Sequence, residues 1–88
     1  MISLTQTIVS VNGFGEKMNF SSRLIQIRRS SDLTQKMLAH DLGLSEVAIQ
    51  NYESGRRKPA YDSLIALADY FDVSLDYLVG RSDDPRRR

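Results

Sequence analysis

Glu46, Val47, Gln50, Asn51 and Ser54 stand at i, i+1, i+4, i+5 and i+8, so a helix through 43-GLSEVAIQNYESG-55 gathers them on one face. Ala48, Ile49 and Tyr52 fall on the opposite, apolar side. A merely solvated helix surface is usually rich in Lys and Glu. This one consists mostly of short side chains that form hydrogen bonds or offer a small apolar contact. Such a set suits reading another surface, and the residues around it must hold it outward.

Bond-making chemistry is poorly supplied elsewhere. The chain has no cysteine, which removes disulfides, thiolate metal sites and thiol catalysis. His40 is the single histidine, and no tight Asp/Glu loop of the calcium-binding kind occurs, so neither a metal nor another cofactor is expected. Nucleophile, base and metal-site patterns are all missing, and 88 residues leave little room for a pocket. The expectation is a protein without enzymatic activity. The longest apolar runs are a few residues, too short to span a bilayer. The opening MISLTQTIVSV lacks both a basic n-region and a continuous apolar h-region. A cytoplasmic protein with no membrane partner is the expectation.

The periodicity divides the chain into three parts. Over residues 1–18, Ile2, Leu4 and Ile8 alternate with polar residues, and Asn12-Gly13 signals a turn. That part reads as an extended or flexible arm. From 19 to 80 the period is helical, in five short helices. Asn19 caps the first, with Phe20, Leu24 and Ile27 as its inner stripe and Arg23, Gln26 and Arg29 as its outer one. Thr34 caps the second, which Gly43 ends, and Ser45 caps the third, which stops at Ser54-Gly55. Pro59 separates these from a fourth helix over about Tyr61 to Phe71, where Tyr61 and Tyr70 are expected to cover the packing. A fifth runs from about Ser74 to Val79, with Leu75 and Leu78 inward. Residues 81–88 show no apolar periodicity and read as a solvated tail. The fold class is all-α, a bundle with brief connections.

Net charge is only +1, but its distribution is uneven. Residues 16–59 hold eight Lys or Arg against five acids, whereas residues 60–85 hold Arg81 against six aspartates. One end is able to meet a polyanion while the other repels it.

The two helices joined by Gly43-Leu44-Ser45 form a tight corner, and Ala39, four residues before Gly43, is small enough for their axes to approach closely. Ile49 and Tyr52 anchor the second helix and leave its other face outward. This is a helix-turn-helix arrangement, whose second helix enters the major groove of DNA. From Phe20 to about Gly80, the chain resembles the Cro/repressor (Xre-type) helix-turn-helix family of phage repressors and restriction-modification controllers. The resemblance rests on 33-LTQKMLAHDLGLSEVAIQNYESGRRKP-59 and 73-VSLDYLVG-80 and covers about 60 of the 88 residues. It implies a five-helix, lambda-repressor-like domain.

The resemblance also assigns roles. Glu46, Val47, Gln50 and Asn51 point where the family reads base edges. Glu46 either accepts from a cytosine, excludes phosphate, or only offsets the helix dipole. Gln35 and Ser45, each at a helix start, are expected to meet backbone phosphates, and Arg56, Arg57 and Lys58 to attract them without regard to sequence. Arg28 and Glu53 occupy positions that often form a partly buried ion pair joining the first and third helices. One recognition helix covers too few base pairs for a genome, so a homodimer on a palindromic double-stranded operator is expected. Its seam is placed at Tyr77, Leu78 and Val79, although Tyr77 suits the core equally well. A sequence-specific transcriptional regulator, a repressor, is the leading reading, with an antirepressor or toxin as a further partner. The alternative is an antitoxin or adaptor whose main partner is protein.

Overall fold

The computed structural model describes residues 18–87, which form five helices and, among the described residues, no strand. They are α1 (Phe20–Ser30), α2 (Gln35–Leu42), α3 (Glu46–Ser54), α4 (Tyr61–Phe71) and α5 (Leu75–Leu78). The arm expected over residues 1–18 lies outside the described residues, Met18 excepted.

Local chemistry explains most helix ends. Asn19 Oδ1 accepts the Ser22 N–H at 3.0 Å and the Ser22 hydroxyl accepts the Asn19 N–H at 3.3 Å, a reciprocal box that uses serine in place of glutamate. Thr34, Ser45 and Ser74 cap α2, α3 and α5 through one side-chain oxygen each. At the end of α2, Gly43 has φ 69°, and no atom would lie within 4 Å of an added Cβ. Glycine is suited there by backbone conformation, not by lack of space. At the end of α4, Asp72 takes the same left-handed conformation, φ 56°, a place where no sequence signal announced the stop.

Leu24, Ile27, Leu38, Ala39, Ile49, Tyr52, Leu67, Ala68, Val73 and Leu78 form the buried core. Every helix contributes to it. The α2–α3 corner packs on α1, and α5 closes the bundle against α1 and α4.

Four side chains sit differently from the sequence expectation. Arg23, placed on the outer stripe of α1, is 1% exposed. Its position faces α5 and the tail, where carbonyls and a carboxylate satisfy the guanidinium: Nε donates to the Tyr77 carbonyl at 2.8 Å, and Nη2 to Ser82 O at 3.2 Å and Asp83 Oδ1 at 3.3 Å. Leu78, read as inward on the fifth helix but also assigned to a dimer seam, is fully buried in the core and so is not open to a seam. A helix of one turn buries a single residue completely, so Leu75, expected inward, remains 36% exposed. Tyr61 is 73% exposed because it occupies the first position of α4, one turn ahead of Leu64, which does pack on the core.

Residues 81–87 carry no helix, yet they are tethered. The Ser74 N–H donates to the Pro85 carbonyl at 3.0 Å, and Arg87 donates to Asp69 Oδ1 at 2.6 Å and to the Ala68 carbonyl at 3.2 Å. Periodicity is blind to such a segment, because polar bonds to neighbouring elements hold it and no apolar stripe does.

Candidate nucleic-acid interface

The corner between α2 and α3 is set by three residues. Gly43 supplies the left-handed turn, the Leu44 N–H returns to the Ala39 carbonyl at 2.9 Å, and the Ser45 hydroxyl accepts the Ala48 N–H at 3.1 Å. Ala39, 2% exposed, is the small contact the corner requires.

Ile49 and Tyr52 fasten the inner face of α3, at 0% and 6% exposure. Two further ties hold Tyr52 from α1. The Ser21 hydroxyl donates to the Tyr52 carbonyl at 2.7 Å, and the Phe20 ring meets the Tyr52 ring edge-on with centroids 6.1 Å apart. Ser21 was invisible in the sequence, since a serine just inside a helix start carries no directional signal.

The outer face is open. Glu46, Val47 and Gln50 are exposed, Val47 at 60%, and Asn51 is half-buried beside them. Among the described residues, the side chains of Glu46, Gln50 and Asn51 make no hydrogen bond within the chain. Ser54 differs: its hydroxyl donates back to the Asn51 carbonyl at 3.2 Å and accepts the Arg56 N–H at 3.4 Å. It shapes the exit of the helix and belongs less to the outward face.

Arg56, Arg57 and Lys58 follow directly, all exposed. The Arg57 N–H donates to the Asn51 carbonyl at 3.2 Å, which folds the loop against the end of α3. None of the three forms an ion pair among the described residues, whereas Arg86 and Arg87 pair with Asp84 and Asp69. Three unpaired cations against the one exposed acid of this face, Glu46, leave this side of the molecule with a net positive charge.

Beneath it lies a charged cluster. Arg28 Nε donates to Glu53 Oε2 at 2.5 Å and Nη2 to Oε1 at 3.0 Å, with the side chains 11% and 6% exposed. Hydrogen bonding to Glu53 raises the pKa of the Arg28 guanidinium above its ordinary value. Its third nitrogen donates to the Leu33 carbonyl at 2.9 Å, and Gln35 Nε2 donates to Glu53 Oε1 at 2.9 Å. The structure thus brings Gln35, expected at the surface as a phosphate donor, into contact with the ion pair. Ser45 remains exposed at the start of α3. Tyr77 and Val79 are half-buried; Tyr77 packs against the core, and Val79 lines an open cleft with Phe20, Pro59 and Leu64 beside the basic loop. No helix among the described residues is long and apolar enough to cross a membrane.

Comparison with known proteins agrees with this geometry. A helix-turn-helix family model matches residues 24–78. The chain is 39% identical over 66 residues to the uncharacterized HTH-type transcriptional regulator YobD of Bacillus subtilis, covering 75% of this chain and 59% of that protein. It is 34% identical over 64 residues to the cryptic phage CTXphi transcriptional repressor RstR of Vibrio cholerae serotype O1, covering 73% and 57%. Among solved structures, the P22 c2 repressor protein in complex with a synthetic operator superposes with a TM-score of 0.70 at 27% identity, covering 75% of this chain and 100% of that one. A transcriptional regulator from Listeria innocua gives a TM-score of 0.66 at 34% identity, covering 69% and 57%. The chain therefore spans under three-fifths of the length of YobD and RstR. Corner, anchored helix and matched span together place the chain in the Cro/repressor, Xre-type, helix-turn-helix family.

Proposed function

We propose that this chain is a sequence-specific DNA-binding transcriptional regulator, a repressor, that inserts α3 into the major groove of a palindromic operator as a homodimer. The observation that carries the reading is the outward face of α3. Its amides are unengaged within the chain, and it stands beside three cations that lack an internal counter-charge. A helix face left polar, unpaired and flanked by positive charge is what base-edge and phosphate contacts require.

In this reading Gln50 and Asn51 pair with adenine edges, Val47 touches a thymine methyl, and Glu46 accepts from a cytosine. Each good base contact contributes about 1–3 kcal/mol of discrimination. Gln35 and Ser45 meet phosphates, joined by Arg56, Arg57 and Lys58. The dimer seam falls on Tyr77 and Val79 with the exposed Leu75, since Leu78 is taken by the core. Two copies then read half-sites about 34–36 Å apart. The repressor names of RstR and the P22 c2 protein, and the operator complex of the latter, support this reading.

Selection of bound duplexes from a random pool tests it, repeated with Gln50→Ala. The expected result is a palindromic motif that relaxes at one position per half-site in the variant. A pool that shows no enriched motif overturns the proposal in favour of a protein partner.

A further inference from the structure

Three helices meet at one carboxylate. Glu53 on α3 accepts two hydrogen bonds from Arg28 on α1 and one from Gln35 on α2. The bond from Gln35 decides what that side chain presents outward. A carboxylate only accepts, so the amide must turn its nitrogen toward Glu53, which settles an orientation that a free glutamine leaves open. The nitrogen carries two hydrogens and Glu53 engages one. The other remains, on the residue that opens α2, where the backbone N–H groups of Gln35 and Lys36 precede the first intrahelical bond.

An unpaired carboxylate close to this point would repel phosphate. Here the bidentate Arg28 contact offsets the charge, so Glu53 directs the amide without presenting a free negative charge to the ligand. Ordering the glutamine before it meets the ligand also lowers the entropy cost of binding.

We propose that Glu53 is a positioning residue for phosphate binding. Through its bond to Gln35 it fixes the amide so that the second Nε2 hydrogen is offered to the DNA backbone at the start of α2. This assignment rests on the DNA-binding reading above. It joins the ion pair that ties the helices together to the affinity of the interface.

A double-mutant cycle tests it, with binding measured on a duplex bearing the selected motif. Gln35→Ala weakens binding about tenfold, the effect of removing one hydrogen bond to a charged group. Glu53→Gln weakens binding several-fold when Gln35 is present and causes no further weakening when it is absent. The dependence of affinity on salt stays unchanged in Gln35→Ala, because an amide–phosphate bond neutralises no phosphate and releases no counterion. Glu53→Asp keeps the charge opposite Arg28 while drawing the oxygens back from Gln35; it shows the same coupling and serves if circular dichroism finds the Gln variant unfolded.

Equal weakening in both backgrounds, or a salt slope changed in the charge-conserving Glu53→Asp variant, makes Glu53 a scaffold residue only and overturns the assignment. A Gln35→Ala variant that binds like the wild type overturns it too. Wild-type protein that binds no duplex overturns the DNA reading and this assignment together, whereas additive effects in a protein that does bind sink the assignment alone.

Discussion

The guanidinium carbon of Arg23 lies 3.9 Å from the centroid of the Tyr77 ring, while Nε of the same side chain donates to the Tyr77 carbonyl at 2.8 Å. One buried arginine thus grips both the ring and the backbone of α5, and its remaining nitrogens reach Gln26, Ser82 and Asp83. Lysine cannot reproduce a flat stack and a fork at once. Arg23→Lys is expected to lower the unfolding free energy by about 2–3 kcal/mol, because buried carbonyls lose their donors. Urea denaturation measures the drop. Limited proteolysis should cut residues 81–87 faster in the variant.

The Arg28–Glu53 pair yields an asymmetric prediction. Removing either partner as alanine leaves a nearly buried charge without its counter-ion and should cost about 3–5 kcal/mol. That is a large share of the roughly 5–15 kcal/mol typical of a folded domain. Replacing both with apolar residues of similar volume should recover much of the stability. Thermal melts of the two single variants and the double variant decide the matter; a double variant no better than the singles would refute the charge argument.

Arg56, Arg57 and Lys58 should act on affinity without acting on choice of sequence. Changing any one of them to glutamine is expected to reduce the salt slope of log K by about 0.9 for each phosphate that is no longer neutralised. The enriched motif itself should stay the same. Fluorescence anisotropy at several salt concentrations reads the slope, and a motif that shifts would show one of the three to be reading bases.

Tyr70 and Asp41 give a pH signature. The Tyr70 hydroxyl donates to Asp41 Oδ2 at 2.6 Å, which holds the Asp41 carboxyl below its ordinary pKa, with His40 as the second cause. The same bond raises the Tyr70 phenol. A lowered carboxyl contributes stability at neutral pH that is lost as pH falls through the lowered value. A raised phenol contributes stability that is lost as pH rises through the raised value. Tyr70→Phe should therefore melt below wild type at neutral pH, and the gap should close toward both extremes. Both groups are open to solvent, so the gap is expected to be small. A gap that is constant with pH would show that the bond to Asp41 is not its cause, since the ring that meets Phe71 edge-on is kept in the variant.

Sequence made the helix starts and the recognition corner legible for a physical reason. Asn19, Thr34, Ser45 and Gly43 act on atoms within a few residues of themselves, so spacing alone exposes them. Ile49 and Tyr52 follow from helical period in the same way. Arg23 escaped because, Gln26 aside, its partners lie 54 to 60 residues away, and no local pattern marks a buried cation whose acceptors come from so distant a segment. Leu78 was read inward correctly, but Leu75 was read inward as well, because a single turn has too few residues to show which side is inward. The pairing of Gln35 with Glu53 spans 18 residues and two helices, and only coordinates reveal it.

All the fastenings of α3 use its inner side or its ends: Ser45 and Gly43 at the start, Ile49 and Tyr52 beneath, and Glu53 near the close. The outward side chains at 46, 47, 50 and 51 therefore form none of the hydrogen bonds that hold the bundle together. Those four places are exchangeable like type in a printer's frame. In the proposed reading, new residues set there would respell the target while the frame that grips them stays as it is.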